Sequence, residues 1–271
     1  MKQTSLALLI LAGASAVFAQ TPVVAQGGVL NAASFTLNQG VAPGSLVSIF
    51  GTNLASSLAL ADTIPLSTSL GNVNVTFNNI PAPLLFVSHD PVNGDQINAQ
   101  LPFEVPAGNV QVSVTSGGNA SGPMNLNVVS AAPGIFAVSF GVGQAIAYGN
   151  NDGQLAAPVG SVSGLTTHPA KIGDPNTLAI LATGLGAVNP PVTTGSAVTD
   201  GQVHRTLVNP TVMVGGVEAQ LVFSGAQPQF PGVYQLNIII APGTPTGDAI
   251  PLQLVMNGIT TTDQVTIAVT N

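Results

Sequence analysis

Val75-Thr76-Phe77-Asn78-Asn79-Ile80-Pro81-Ala82-Pro83-Leu84-Leu85-Phe86 and Val212-Met213-Val214-Gly215-Gly216-Val217-Glu218-Ala219-Gln220-Leu221-Val222-Phe223 align without a gap. Each reads as strand, two-residue turn, strand. The turn residues are Asn78-Asn79 in one copy and Gly215-Gly216 in the other, the residue types that enter positive φ at least cost, as a tight hairpin requires. Two further blocks repeat in the same order. Gln96-Ile97-Asn98 matches Gln235-Leu236-Asn237 at an offset of 139, which carries on to Pro106/Pro245 and Gly108/Gly247. Ile49-Phe50-Gly51-Thr52-Asn53-Leu54 matches Ile180-Leu181-Ala182-Thr183-Gly184-Leu185. Three ordered matches predict two copies of one module, at 41–130 and 171–271.

Outward from these blocks, β-branched runs such as Leu46–Phe50, Val73–Phe77, Val110–Val114 and Met124–Val128 alternate apolar with polar residues, the pattern of half-buried antiparallel strands. No segment past the N-terminus keeps helical periodicity, and 31 Gly with 21 Pro argue against long helices. Short strands with turn signals every few residues predict an all-β fold of two tandem immunoglobulin-like antiparallel β-sandwich modules. Residues 20–40 read as a lead-in to the first module. The stretch 131–170 reads as a connecting insert, and no counterpart in the repeat is legible for Ala131–Gly173. Within it, Gln144–Tyr148 and Gln154–Ala156 predict a hairpin turning at Asn151-Asp152-Gly153.

The N-terminus carries Lys2, an uncharged apolar run from Leu6 to Val17, and Val17-Phe18-Ala19. These are the parts of a secretory signal peptide over residues 1–19, and the run is shorter than the roughly 20 residues a membrane-spanning helix needs. The mean hydropathy of +0.49 reflects short strands rather than a second spanning segment. Charged residues make up only 5% of the chain. Past the leader, Lys171 and Arg205 stand against ten acidic residues, too few cations for a nucleic-acid surface. With no cysteine, stability rests on core burial.

Several blocks resemble a bacterial family of exported proteins, the Solibacter-type C-terminal domain: Val29–Phe35, Val41–Ala55, Gln96–Gly108, Ala132–Phe136 and Ala182–Gly186. Each module is also similar to an IPT/TIG-type immunoglobulin-like domain, whose opening strand ends in a Gly-x-Asn-Leu turn, here Gly51-Thr52-Asn53-Leu54. The second copy departs from it with Thr183-Gly184-Leu185. The resemblance implies export and an immunoglobulin-like fold, and no activity.

Catalytic motifs are missing. Gly160-Ser161-Val162-Ser163-Gly164 only approximates a nucleophile elbow, which also needs a following helix, and Gly141-Val142-Gly143 lacks the third glycine of a phosphate loop. His89, His168 and His204 fall in loops and are read as solvated. Asp90, Asn93 and Asp95 form the one dense set of oxygen ligands, a candidate calcium loop, although Asp and Asn are also ordinary turn formers. Gln96/Gln235 and Asn98/Asn237, kept in both copies, are read as amides tying a strand to a neighbouring loop backbone. Tyr234 is assigned to the core, and Tyr148, in the insert, is the candidate ligand-binding aromatic. The expectation is an exported, secreted or cell-surface protein with no catalytic residues, cofactor or nucleic-acid partner, engaging an unknown protein or glycan. A periplasmic location, a carbohydrate- or calcium-binding module and a hydrolase with an unrecognised site are the alternatives.

Overall fold

The computed structural model describes residues 20–262 and 264–271, so the expected signal peptide lies outside the described residues. The chain is all-β. In the first half the principal strands are β1 (Val23–Asn31), β2 (Leu46–Thr52), β3 (Val73–Phe77), β4 (Leu84–Ser88), β5 (Asp95–Gln100), β6 (Gly108–Ser116) and β7 (Met124–Val128). One sheet runs β1-β2-β5-β4 and ends on the short strand Ala59–Leu60; the other is built on β6, which pairs with β7 on one side and β3 on the other. Their facing sides bury Val47, Ile49, Phe77, Leu84, Ile97 and Val112, all fully inaccessible, in one apolar cluster.

The second half repeats this plan with β8 (Gly134–Ile135), β9 (Ala137–Ser139), β10 (Val142–Ala145), β11 (Ala147–Gly149), β12 (Ala170–Lys171), β13 (Leu178–Thr183), β14 (Thr211–Val214), β15 (Gln220–Ala226), β16 (Tyr234–Ile239), β17 (Gly247–Met256) and β18 (Val265–Thr270). β13, β16 and β15 take the places of β2, β5 and β4, while β14, β17 and β18 take those of β3, β6 and β7. Ile180, Leu236, Val214 and Leu252 fill its separate core. The paired turns adopt the conformations their residues predict: Asn78 and Asn79 have φ of 47° and 64°, Gly215 and Gly216 of 57° and 80°. The Thr183-Gly184-Leu185 departure also keeps the backbone of its counterpart. Gly184 (φ 80°) stands where Asn53 has φ 57°, and the leucine that follows is buried in both copies.

Two expectations need correction. The lead-in segment supplies β1, an edge strand of the first sandwich, in two parts: Val23-Val24 pair with Thr52-Gly51, and Val29–Asn31 pair with Ile49–Val47, with a register shift between them. The insert is not a connector without a counterpart. Gly134-Ile135 pair with Thr183-Ala182, and Ala147–Gly149 pair with Ile180–Leu178. Since Ile49 aligns on Ile180, β8 and β11 are the two parts of β1 over again, with the β9–β10 hairpin inserted where β1 has its bulge. Likewise the parallel bridge Val41–Val128 recurs as the parallel pairing of β12 with β18. Backbone pairing preserved these positions while their side chains diverged, so the sequence repeat is silent there. The expected turn after Tyr148 is present: the Gly149 N–H reaches the Gln154 carbonyl, and Tyr148 bridges Leu155.

The halves meet through buried polar groups. The Leu46 N–H donates to Thr183 Oγ1 (2.9 Å), whose hydroxyl donates on to the Gly232 carbonyl (2.7 Å). Gln100 donates to the Gly44 carbonyl and accepts the Gly195 N–H at 2.6 Å, and Asn31 Nδ2 donates to the Ala132 carbonyl at 2.8 Å. Close backbone approach is needed: a Cβ on Gly232 would lie 2.6 Å from the Leu46 side chain. Thr183 is fully inaccessible, so the near-isosteric Thr183→Val leaves a donor and an acceptor unpaired. We expect urea unfolding to report a loss of about 1–3 kcal/mol; a loss under about 0.5 kcal/mol would mean that these bonds contribute nothing.

Candidate functional site

Strand register assembles a set of side chains that are distant in sequence. Tyr148 on β11 stands opposite Ala179 on β13. Ala179 stands opposite Asn237 on β16, and Asn237 opposite Phe223 on β15. Residues directly opposite across a sheet share a face. The core side of the same strands carries Ile180, Leu236 and Ile238, so Tyr148, Ala179, Asn237 and Phe223 lie in one row on the outer side, the first and last two partly exposed and Ala179 covered. The next row holds Leu181, Gln235 and Gly225, with Arg205 opposite Gly225 on the short strand Arg205–Thr206.

On this face Gln235 donates to Asn237 Oδ1 at 2.8 Å, a two-residue bridge along one strand. Gln96 donates to Asn98 in the same way, and there Ser48 on β2 adds a second bond to Asn98 Oδ1 at 2.9 Å. These amides therefore bond to each other, and in the first module to a neighbouring strand, rather than to a loop backbone as expected. The faces have diverged around them. Leu30, Ser48 and Asn98 form the first module's row, where the second has Tyr148, Ala179 and Asn237. The second also has Arg205, whose Cζ lies 5.1 Å from the Phe223 ring centroid. An open groove of about 350 Å3 lies over Gln235, Asn237, Phe223 and Arg205, with Gln202 and Val203 on its wall. Tyr148 borders a second open groove with Gln154 and Leu165, and partial burial raises its hydroxyl pKa. Sequence reading singled out Tyr148 and the amides separately but missed Phe223 and Arg205, because only the register joins them.

The proposed calcium residues are engaged inside the chain. Asp90 accepts the N–H groups of Val92 and Asn93 and the Asn93 side-chain amide, and these bonds, the amide first, lower its pKa. Asp95 is buried; its Oδ2 accepts the Leu54 and Ala55 N–H groups, while Oδ1 meets His89 Nδ1 at 2.8 Å and the Asp90 N–H. Among the described residues no group of three or more His, Cys, Asp or Glu is placed to hold a metal. Tyr234 is in the core as expected, its hydroxyl donating to the Gly186 carbonyl and its pKa raised by burial.

The histidines are not free in solvent; each meets an aspartate. His168 places Nδ1 against the Pro169 carbonyl and Nε2 against Asp152 Oδ2 at 2.9 Å. His204, with a side chain only 4% exposed, places Nδ1 against the Pro190 carbonyl and Nε2 against the Asp200 carboxylate. Two acceptors per ring favour the imidazolium, which donates from both nitrogens. For His204 the Asp200 bond is the larger cause of its raised pKa, for His168 the Pro169 bond. Asp200 is lowered chiefly by His204, and Asp152 chiefly by the Gln154 N–H. A raised histidine contributes stability that is complete below its unfolded value near 6.5 and is lost as pH rises through the folded value. A lowered aspartate contributes above its unfolded value near 3.8 and loses it as pH falls through the folded one. The melting temperature should therefore hold through the acidic window between those ranges and decline as pH rises from about 6.5 through the raised histidine values. His204→Gln should flatten that decline; an unchanged pH profile in the variant would remove the pair from the account.

Comparison with known proteins adds one domain match. No curated protein matches the chain. Among solved structures, the I9–I11 tandem of titin is 10% identical, covering 92% of this chain and 66% of that one, at a TM-score of 0.22. Domains 5–6 of the S-layer protein SbsC are 13% identical, covering 93% and 99%, at 0.22. FdeC, an Escherichia coli adhesin, is 10% identical, covering 86% and 62%, at 0.25. Scores this low say nothing of function. Residues 33–151 match the IPT/TIG domain, and with the two sandwiches described above, the chain carries an IPT/TIG-like immunoglobulin-type fold.

Proposed function

We propose that the protein is an exported, non-catalytic interaction module, secreted or held at the cell surface, that works as a stiff pair of sandwiches spanning residues 20–130 and 131–271. The observation that carries this reading is the hydrogen-bonded joint. Tandem domains joined by an exposed linker move independently. Here Thr183, Gln100 and Asn31 spend buried polar groups on fixing one sandwich against the other. A fixed joint serves a protein that must present a surface at a set angle, and it gives nothing to a hydrolase, whose nucleophile, base and acid would have to share a cleft. The histidines are instead dispersed, each bonded to its own aspartate.

Export is supported by Lys2, the apolar run Leu6–Val17 and the Val17-Phe18-Ala19 site, and by a surface that uses Ser, Thr, Asn and Gln in place of charge. The Solibacter-type resemblance points the same way, as that domain belongs to exported proteins. Fractionation of producing cells with intact-mass measurement tests the reading: the protein should leave the cytoplasm and begin at Gln20, and the fraction that holds it separates released, surface-held and periplasmic fates. Small-angle scattering of that material should fit one fixed arrangement of the two sandwiches. Recovery only in the cytoplasm with Met1 or Lys2 retained, or a turnover activity in the purified protein, would overturn it.

A further inference from the structure

The outer face of the second sandwich has a chemistry that the rest of the surface lacks. Arg205 is one of two cations beyond the leader, it is exposed, and no carboxylate lies within 4 Å of it among the described residues. Its guanidinium rests over Phe223. A ring beneath the guanidinium holds the cation over the face by cation–π attraction and leaves its N–H groups to donate to a ligand carboxylate. Beside it the Gln235–Asn237 bridge holds two amides in fixed orientation, so each offers its remaining donors and acceptor without a large loss of rotamer freedom. Three strand steps away in the same row is Tyr148. At about 4.8 Å per step the row spans about 14 Å, the length of a short run of sugar rings.

We propose that this face binds a glycan chain built of uronic acid units, with Arg205 taking a ring carboxylate, Gln235 and Asn237 meeting hydroxyls, and Tyr148 and Phe223 offering ring surface to sugar C–H groups. The proposal rests on the reading of the protein as an interaction module and names the ligand class of its outer face. Charge at this one point selects an acidic ring over a neutral one: Arg205 pairs with a single carboxylate, and with ten acidic residues in the chain the site takes one such contact rather than the many a nucleic acid needs. Asp200, the partner of His204 on this wall, does not compete, since its oxygens are bonded to His204 Nε2 and to Gln202. The first sandwich lacks the combination, having Leu30 and Ser48 at the positions of Tyr148 and Ala179.

Titration calorimetry of the full chain with hexameric oligogalacturonate and oligoalginate, and with the methyl ester of each, tests this. The acids should bind at least tenfold more tightly than the esters, which keep the rings and lose the charge. Arg205→Gln should bring the acids down to the level of the esters, and Tyr148→Ala should weaken acid and ester alike, each with an unchanged melting curve. Lys171→Gln removes the other cation with the same change in net charge and should leave affinity unaltered. Absence of binding by either acid to the folded chain, equal affinity for acid and ester, or an equal loss in Lys171→Gln and Arg205→Gln would each overturn the assignment. A protein partner crosslinked through Tyr148 or Arg205 with no glycan titrating would sink the glycan while sparing the interaction module, whereas cytoplasmic recovery of the protein sinks both.

Discussion

A single hydroxyl, Thr183 Oγ1, accepts from the Leu46 backbone in one sandwich and donates to the Gly232 backbone in the other. Around it the molecule is held as one body. The chain has no disulfide to staple its halves and almost no charge to pair across them, so the joint is made from neutral hydrogen bonds. Such bonds specify geometry only where water is excluded, because an exposed one is exchanged for water at little net gain. Hence the joint needs glycines at Gly134 and Gly232, where a Cβ would fall 2.5 Å from Asn31 Oδ1 and 2.6 Å from the Leu46 side chain. Close backbone approach and polar closure are two sides of one constraint. Among the described residues, no buried side-chain nitrogen or oxygen is left without a partner.

The duplication also shows how one structural need can be met by opposite chemistry. Asp95 in the first sandwich and Tyr234 in the second occupy the same place at the start of equivalent strands, opposite Gly51 and Ala182. Each ties its strand to the turn that follows the neighbouring strand. Asp95 accepts from the Leu54 and Ala55 N–H groups, while the Tyr234 hydroxyl donates to the Gly186 carbonyl. A carboxylate suits a turn that presents donors, and a phenol suits one that presents an acceptor. The oxygen cluster that looks like a cation loop in the sequence is, through Asp95, the first module's version of a clasp that the second makes with a phenol.

Legibility in the sequence followed the burial of side chains. Ile49/Ile180, Ile97/Leu236 and the Asn78-Asn79 and Gly215-Gly216 turns are fixed by core volume or by backbone conformation, and both constraints survive in residue type. β1 and its counterpart β8–β11 are held by main-chain pairing at a sheet edge, where many side chains serve, so their equivalence left no letters to align. The outer face was half legible. Tyr148 and the repeated amides are conspicuous as residues, but Arg205 and Phe223 become neighbours of Asn237 only once a register with a bulge between Leu221 and Phe223 is known. A bulge displaces every side chain beyond it by one position, and nothing local in Gln220–Ala226 announces it.

Scarcity of charge gives the second sandwich its character. A surface solvated by hydroxyls and amides is cohesive with sugars and water alike, so by itself it selects nothing. Selection requires a group that loses more with the wrong partner than with the right one. On the outer face that group is Arg205, set over Phe223 with no carboxylate within 4 Å among the described residues, while Asp200 is bonded to His204. The first sandwich keeps the amide bridge and gives Asn98 the Ser48 hydroxyl as a second partner. One copy has thus given its amide bridge a third member, and the other, with Ala179 in place of serine, leaves Asn237 Oδ1 the Gln235 bond and sets a cation beside the pair.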